Sequence, residues 1–195
     1  MPGIVIHKTR SVYWPIPKNA CSTMKRQVCR IEGIDPGTNV HTAGFEWTKL
    51  RDYNGYMNFS IVRNPYSRLF SLWEDKIIEN ASRYNGVPDP NVFGHFGDKF
   101  KLGVTFNEFV HTIISVPYRE ADPHFSLQVF QVPFECKVVK IENIAPITFG
   151  LFESINVTKD QDYRKAYTEN IQDLVYQHYK EDFIRFGYNQ SLYEG

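Results

Sequence analysis

The chain has 195 residues and a mass of 22.8 kDa, the size of one domain. Hydrophobic residues make up 42% and charged residues 23%, which excludes a disordered chain. Lys plus Arg and Asp plus Glu both number 22, so the chain lacks the basic excess of a typical nucleic-acid binder, and any anion site must be local. No run approaches the roughly 18 apolar residues of a membrane span. The opening MPGIVIHKTR has no charged-then-apolar signal pattern. A cytoplasmic protein is expected.

SVYWPIP, Ser11 to Pro17, reads as a short strand ending in proline. KNACST follows, and helical character runs from Ser22 to about Ile31, with Ser22 or a neighbour as N-cap. IDPGTNV, Ile34 to Val40, is a turn-rich connection, and His41 to Asp52 holds a short helix at most. NFSIVRNP, Asn58 to Pro65, reads as a buried strand stopped by Asn64-Pro65. Asparagine as N-cap and proline at the first helical position then start a helix with Leu69, Leu72, Trp73 and Ile77 on one face. Ser82 to Gly103 reads as a long surface loop. Thr105 caps a short helix to Ile114, and Pro117 to Pro133 is irregular. Cys136 to Ile144 gives a third strand, and Tyr167 to Phe186 one amphipathic C-terminal helix. Alternating strands and helices predict an α/β fold with a central, mainly parallel β-sheet flanked by helices, P-loop-like, in a single domain over residues 1–195.

Three cysteines, Cys21, Cys29 and Cys136, have no metal-ligand spacing and no close pair, which fits a reducing compartment. The sequons at Asn58, Asn80, Asn156 and Asn189 are read as chance, since Asn58 opens a buried strand. Aromatic residues reach 15%, either as a ring-rich core or as an aromatic cleft.

Two strand-to-helix junctions carry the chemistry. PKNACSTMK, Pro17 to Lys25, places Lys18 and the hydroxyls of Ser22 and Thr23 at a helix start, where free N–H groups and the helix dipole favour an anion. Arg63 ends the second strand and Ser71 lies about two helical turns further on. A guanidinium there can grip paired phosphate oxygens, whereas Arg68, inside the helix, suits a structural role.

These residues resemble sulfotransferases that use 3′-phosphoadenosine-5′-phosphosulfate (PAPS). PKNACSTMK resembles their 5′-phosphosulfate loop, and FSIVRNPYSRLFSLW, Phe59 to Trp73, their 3′-phosphate motif. ADPHFSLQ (Ala121 to Gln128), VVKIENI (Val138 to Ile144) and YKEDFIRFGY (Tyr179 to Tyr188) resemble further landmarks, in the same order, of the carbohydrate group that includes the chondroitin, HNK-1 and uronyl 2-O enzymes. Phe125 stands where many relatives have Trp.

The resemblance implies PAPS as donor and no metal. It makes Lys18 the phosphosulfate and leaving-group lysine. Asn19, Ala20, Cys21, Ser22 and Thr23 become the loop around the 5′-phosphate and sulfonate, and Arg63 and Ser71 the 3′-phosphate ligands. It implies a hydroxylated acceptor, a glycan first, with no nucleic-acid partner. Golgi relatives offer an alternative location, as a lumenal catalytic domain of a longer chain. For the base that takes the acceptor's proton, His41 comes first, at a spacing before Arg63 that resembles the uronyl 2-O enzymes. His124 is second, and Glu46 and Glu74 are carboxylate alternatives. His7, His95, His111 and His178 read as structural or exposed. Two other readings compete: a nucleotide kinase, which should carry GxxxxGK[ST] and does not, and an inactive sulfotransferase-like binding module.

Overall fold

A computed structural model describes residues 2–79, 103–143 and 162–192. The chain forms two compact units, residues 1–63 with 128–157 and residues 64–127 with 158–195. The predicted loop from Ser82, except its last residue, Gly103, and the last residue of the predicted third strand, Ile144, lie outside the described residues, as does His95.

The first unit is a five-stranded mixed sheet in the order β3-β1-β2-β4-β5. Its strands are β1 (Gly3–Ile6), β2 (Ser11–Trp14), β3 (Trp47–Thr48), β4 (Met57–Val62) and β5 (Lys137–Lys140). β2 pairs in parallel with β4, and β4 with β5, the parallel centre expected from the alternating pattern. To it the chain adds an antiparallel ribbon, β1 with β2 and β3, which the sequence reading did not foresee. Gly3 is required in that ribbon: a Cβ there would lie 2.5 Å from Val12 Cγ1 and against the Trp14 ring.

Helix α1 (Cys21–Glu32) packs its Met24, Val28 and Cys29 with Ile4, Ile6, Tyr13, Phe59, Ile61 and Val139. Tyr13 and Phe59 stack with ring centres 5.3 Å apart. The expected helix between His41 and Asp52 is one 3-10 turn, Val40–Thr42, followed by β3. The third strand is shorter than expected, because a 3-10 turn takes Ile141–Asn143. Asn58 is half-buried in β4. Its side chain accepts from Trp14 Nε1 and donates to the Arg51 carbonyl, so it is already committed within the fold.

The second unit is helical. α2 (Pro65–Trp73) starts as the sequence indicates, with Asn64 accepting from Tyr66 N and Pro65 in the first turn, and ends in a π-helical turn, Glu74–Ile78. α3 (Phe106–Ile114) carries a complete capping box between Thr105 and Glu108. The predicted C-terminal helix is two helices, α4 (Glu169–His178) and α5 (Lys180–Phe186). They divide at Tyr179, whose buried hydroxyl donates to the Phe125 carbonyl at 2.7 Å.

Much of the aromatic surplus sits here as core. Tyr66 packs on Tyr167 and Phe183, Phe106 packs on Phe70 and Tyr167, and the Tyr66 and Tyr167 hydroxyls each find a carbonyl. Rings with satisfied polar tips are the usual way to bury tyrosine.

Candidate active site

The loop between β2 and α1 has an uncommon backbone. Lys18 and Ala20 both have positive φ, 68° and 56°. For non-glycine residues this costs about 1 kcal/mol each. Of Ser22 and its neighbours, Ala20 is the N-cap of α1, and no side chain caps the helix. The first intrahelical bond runs from Met24 N to the Ala20 carbonyl. The N–H groups of Cys21, Ser22 and Thr23 therefore have no intrahelical acceptor. Left-handed residues next to a helix start turn such groups into a concave anion cradle.

Asn19 holds the loop in this shape. It is fully buried, and its Nδ2 donates to the Ile61 carbonyl at 2.9 Å and to Gln128 Oε1 at 2.7 Å. Its side-chain donors are spent inside the fold, so it serves the loop through geometry.

Gln128, equally buried, is a residue the sequence reading passed over. Its Oε1 also accepts from Arg63 N at 3.0 Å, and its Nε2 donates to the Arg63 carbonyl at 2.9 Å. One glutamine thus ties the loop to the end of β4. A second tie is direct: Arg63 Nη1 donates to the Lys18 carbonyl at 3.2 Å. The residues sequence reasoning drew from two separate motifs meet here.

His41 lies at the same loop. Its Nε2 is 2.9 Å from Ser22 Oγ and its Nδ1 is 3.1 Å from Lys25 Nζ. Lys25 was also passed over, although it sits in the motif. Its signal is a lysine among the buried positions Met24, Val28 and Cys29 of an amphipathic helix. Burial pushes the Lys25 pKa down. Burial also raises the Cys21 thiol, against the opposing pull of the Lys25 and Lys18 charges. Cys21, Cys29 and Cys136 are free thiols.

The carboxylate alternative Glu46 is committed elsewhere. It bonds Tyr53 and His7, which hold its pKa below the usual carboxylate value and make it a poor proton acceptor near neutrality.

The second unit holds the other candidates. His124 Nδ1 is 2.6 Å from Asp122 Oδ1, which also accepts from His124 N at 2.8 Å. A carboxylate on Nδ1 fixes the tautomer that leaves Nε2 as acceptor. Asp122 was missed, although it stands two residues before the histidine. Ser71 is buried in α2. Arg68 is structural, as expected: it is 3% exposed and donates to the Ser126 and Pro123 carbonyls at 2.8 Å. Glu74 begins the π-helical turn. His178 is a half-buried structural histidine whose pKa desolvation pushes down to about 4.

Among the described residues no cluster of three or more His, Cys, Asp or Glu side chains could hold a metal ion, and no helix is long and apolar enough to cross a membrane.

Fold and loop together define an α/β protein with a strand–loop–helix junction suited to a phosphate-type group. The model of the Sulfotransferase family matches residues 3–132, most of the chain, including both junctions and the ADPHFSLQ segment. The chain belongs to the sulfotransferase family. Its class of chemistry is sulfuryl transfer to an acceptor substrate, which decides against the nucleotide kinase. No curated protein and no solved structure gives a significant match.

Proposed function

We propose that the protein is a PAPS-dependent sulfotransferase, active as one functional domain, that sulfates a hydroxyl of a carbohydrate. The observation that carries the donor assignment is the Arg63–Lys18 hydrogen bond with its Gln128 clamp. It joins the two motifs that resemble the 5′-phosphosulfate and 3′-phosphate sites. The three free thiols support a reducing, cytoplasmic setting.

PAPS supplies an activated sulfuryl group on a phosphate leaving group. In-line transfer puts growing negative charge on the leaving oxygen, so positioning and charge stabilisation do most of the work. Lys18 supplies a cation there. Cys21, Ser22 and Thr23 supply helix-start N–H groups to the 5′-phosphate and sulfonate, on a loop shaped by Asn19 and Ala20. Arg63 supplies the forked donor for the 3′-phosphate, with Ser71 as its partner by resemblance.

The base must reach the acceptor hydroxyl beside the sulfonate. His41 is assigned that role because its Nε2 already lies at the loop, on Ser22 Oγ. A second reading gives the role to His124, because Asp122 orients its ring with Nε2 as acceptor. In the first reading His124 binds on the acceptor side, and His124→Ala raises the acceptor KM while His41→Ala lowers kcat.

The test is transfer of radiolabelled sulfate from PAPS to a panel of glycans, tyrosine peptides and lipids, with products identified by mass spectrometry. Labelled glycan that disappears with Lys18→Ala supports the assignment. Label appearing on tyrosine peptides or lipids alone overturns the carbohydrate acceptor. No transfer despite nucleotide binding returns the inactive binding module.

A further inference from the structure

Lys25 is 7% exposed on the inner side of α1. A buried ammonium is costly without partners. Two are in place: His41 Nδ1 at 3.1 Å and the Trp47 ring, centred 5.3 Å away. Burial favours the neutral amine, and the negative charge of Cys21 in its thiolate form, one turn earlier, pulls the other way. Ser22 on α1 meets the far side of the imidazole. Glu46, next to Trp47, is bonded to His7 and Tyr53.

Two proton arrangements fit these distances. With Lys25 as ammonium, Nζ–H donates to Nδ1 and Nε2–H donates to Ser22 Oγ, so the imidazole has no lone pair to offer. With Lys25 as amine, Nδ1–H donates to Nζ, and the Nε2 lone pair faces the loop, accepting from Ser22. The two states differ by one proton.

We propose that Lys25 is a positioning residue acting through His41, which sets the imidazole tautomer and receives its Nδ1 proton when Nε2 takes the proton of the acceptor hydroxyl. The inference rests on the assignment of His41 as base. In the step, the acceptor O–H bond breaks and Nε2–H forms, while Nδ1–H breaks and Nζ–H forms. The electron pair left on the acceptor oxygen makes the new O–S bond. The S–O bond to phosphate breaks, and its pair stays on the phosphate oxygen. The pair ends as ammonium and Nε2–H imidazole, and loses one proton to solvent before the next turnover.

Two variants separate this relay from packing or charge. Lys25→Arg keeps a cation and a donor but cannot accept a proton. Lys25→Met keeps an unbranched stem and removes both functions. For a packing or charge role, arginine is the milder change. For the relay it is the harsher one, because it holds His41 in the Nε2–H form. The expected result is a kcat about 100-fold lower for Lys25→Arg and a smaller loss for Lys25→Met, with both binding 3′-phosphoadenosine-5′-phosphate like the parent in a thermal-shift assay. Nitrogen NMR of His41 reads the pair without turnover. The parent should pass from Nδ1–H to Nε2–H as pH falls through the Lys25 titration, and Lys25→Arg should stay Nε2–H. The same tautomer behaviour in parent and variants overturns the inference, as does full turnover in Lys25→Arg. A parent that shows the tautomer switch but no stabilisation by the nucleotide supports the pair and overturns the donor assignment instead.

Discussion

The two strand-to-helix junctions begin their helices by opposite means. After β4, Asn64 caps α2 with its side chain and Pro65 presets the first turn. After β2, Ala20 caps α1 with no side-chain bond, and Lys18 and Ala20 hold left-handed backbone. The first solution satisfies helix-start donors from within the chain. The second leaves them for something else and accepts strain to do it. Strain kept by surrounding bonds, here through Asn19, Gln128 and Arg63, is a mark of a working site.

That contrast predicts different losses from different changes. The largest concerns Lys18. In the proposed mechanism its charge acts where charge develops, so Lys18→Ala should lower turnover by roughly 100-fold or more, while its melting temperature without ligand stays near the parent's. Full activity in steady-state assays would break the assignment. Next comes Arg63. Arg63→Ala should weaken the 3′-phosphorylated nucleotide by about 2 kcal/mol, the loss of a charge-assisted contact, and should hardly affect an analogue without the 3′-phosphate. Equal losses in titration calorimetry would show that Arg63 acts only through the loop.

Smaller effects sharpen the comparison. Asn64→Ala should reduce stability by about 1 kcal/mol in urea unfolding, without altering nucleotide affinity. The matching change in the other junction goes the opposite way. Ala20→Gly removes left-handed strain, partly offset by unfolded-state entropy, and should raise stability by less than about 1 kcal/mol. A destabilised Ala20→Gly protein would mean that its methyl group, rather than its backbone, matters.

The contrast also explains what the sequence made legible. Asn64-Pro65 and the Thr105 capping box state their structures locally, and the alternation of strands and helices announced the α/β fold. β1 did not show because its four residues and the two-residue β3 gain strand character from pairing with each other and with β2. The break at Tyr179 followed from a hydroxyl reaching Phe125, 54 residues away in sequence. In the candidate site, motif resemblance singled out Lys18, Arg63 and His41, which the fold brings to one loop. Lys25, Gln128 and Asp122 lay inside or beside the quoted motifs, yet their roles depend on bonds that only folding brings together.

One pH dependence of folding lies in the second unit. His178 is held neutral to about pH 4, whereas an unfolded histidine titrates near 6.5. Below 6.5 the unfolded chain takes up a proton that the folded one refuses, so stability falls between pH 6.5 and 4. His178→Gln should flatten that part of a melting-temperature profile. An unchanged slope would place the dependence elsewhere.

In the proposed function the strained loop and Arg63 together form a site for a 3′,5′-bisphosphorylated nucleotide. Thermal unfolding with 3′-phosphoadenosine-5′-phosphate, beside ADP and ATP, tests it most directly. A specific ligand at 100 times its Kd adds about 2.7 kcal/mol. The expected result is a clear rise in Tm with the 3′-phosphorylated nucleotide, little with ADP or ATP, and its loss in Arg63→Ala. Equal stabilisation by ATP, or none by the 3′-phosphorylated nucleotide, would contradict the account.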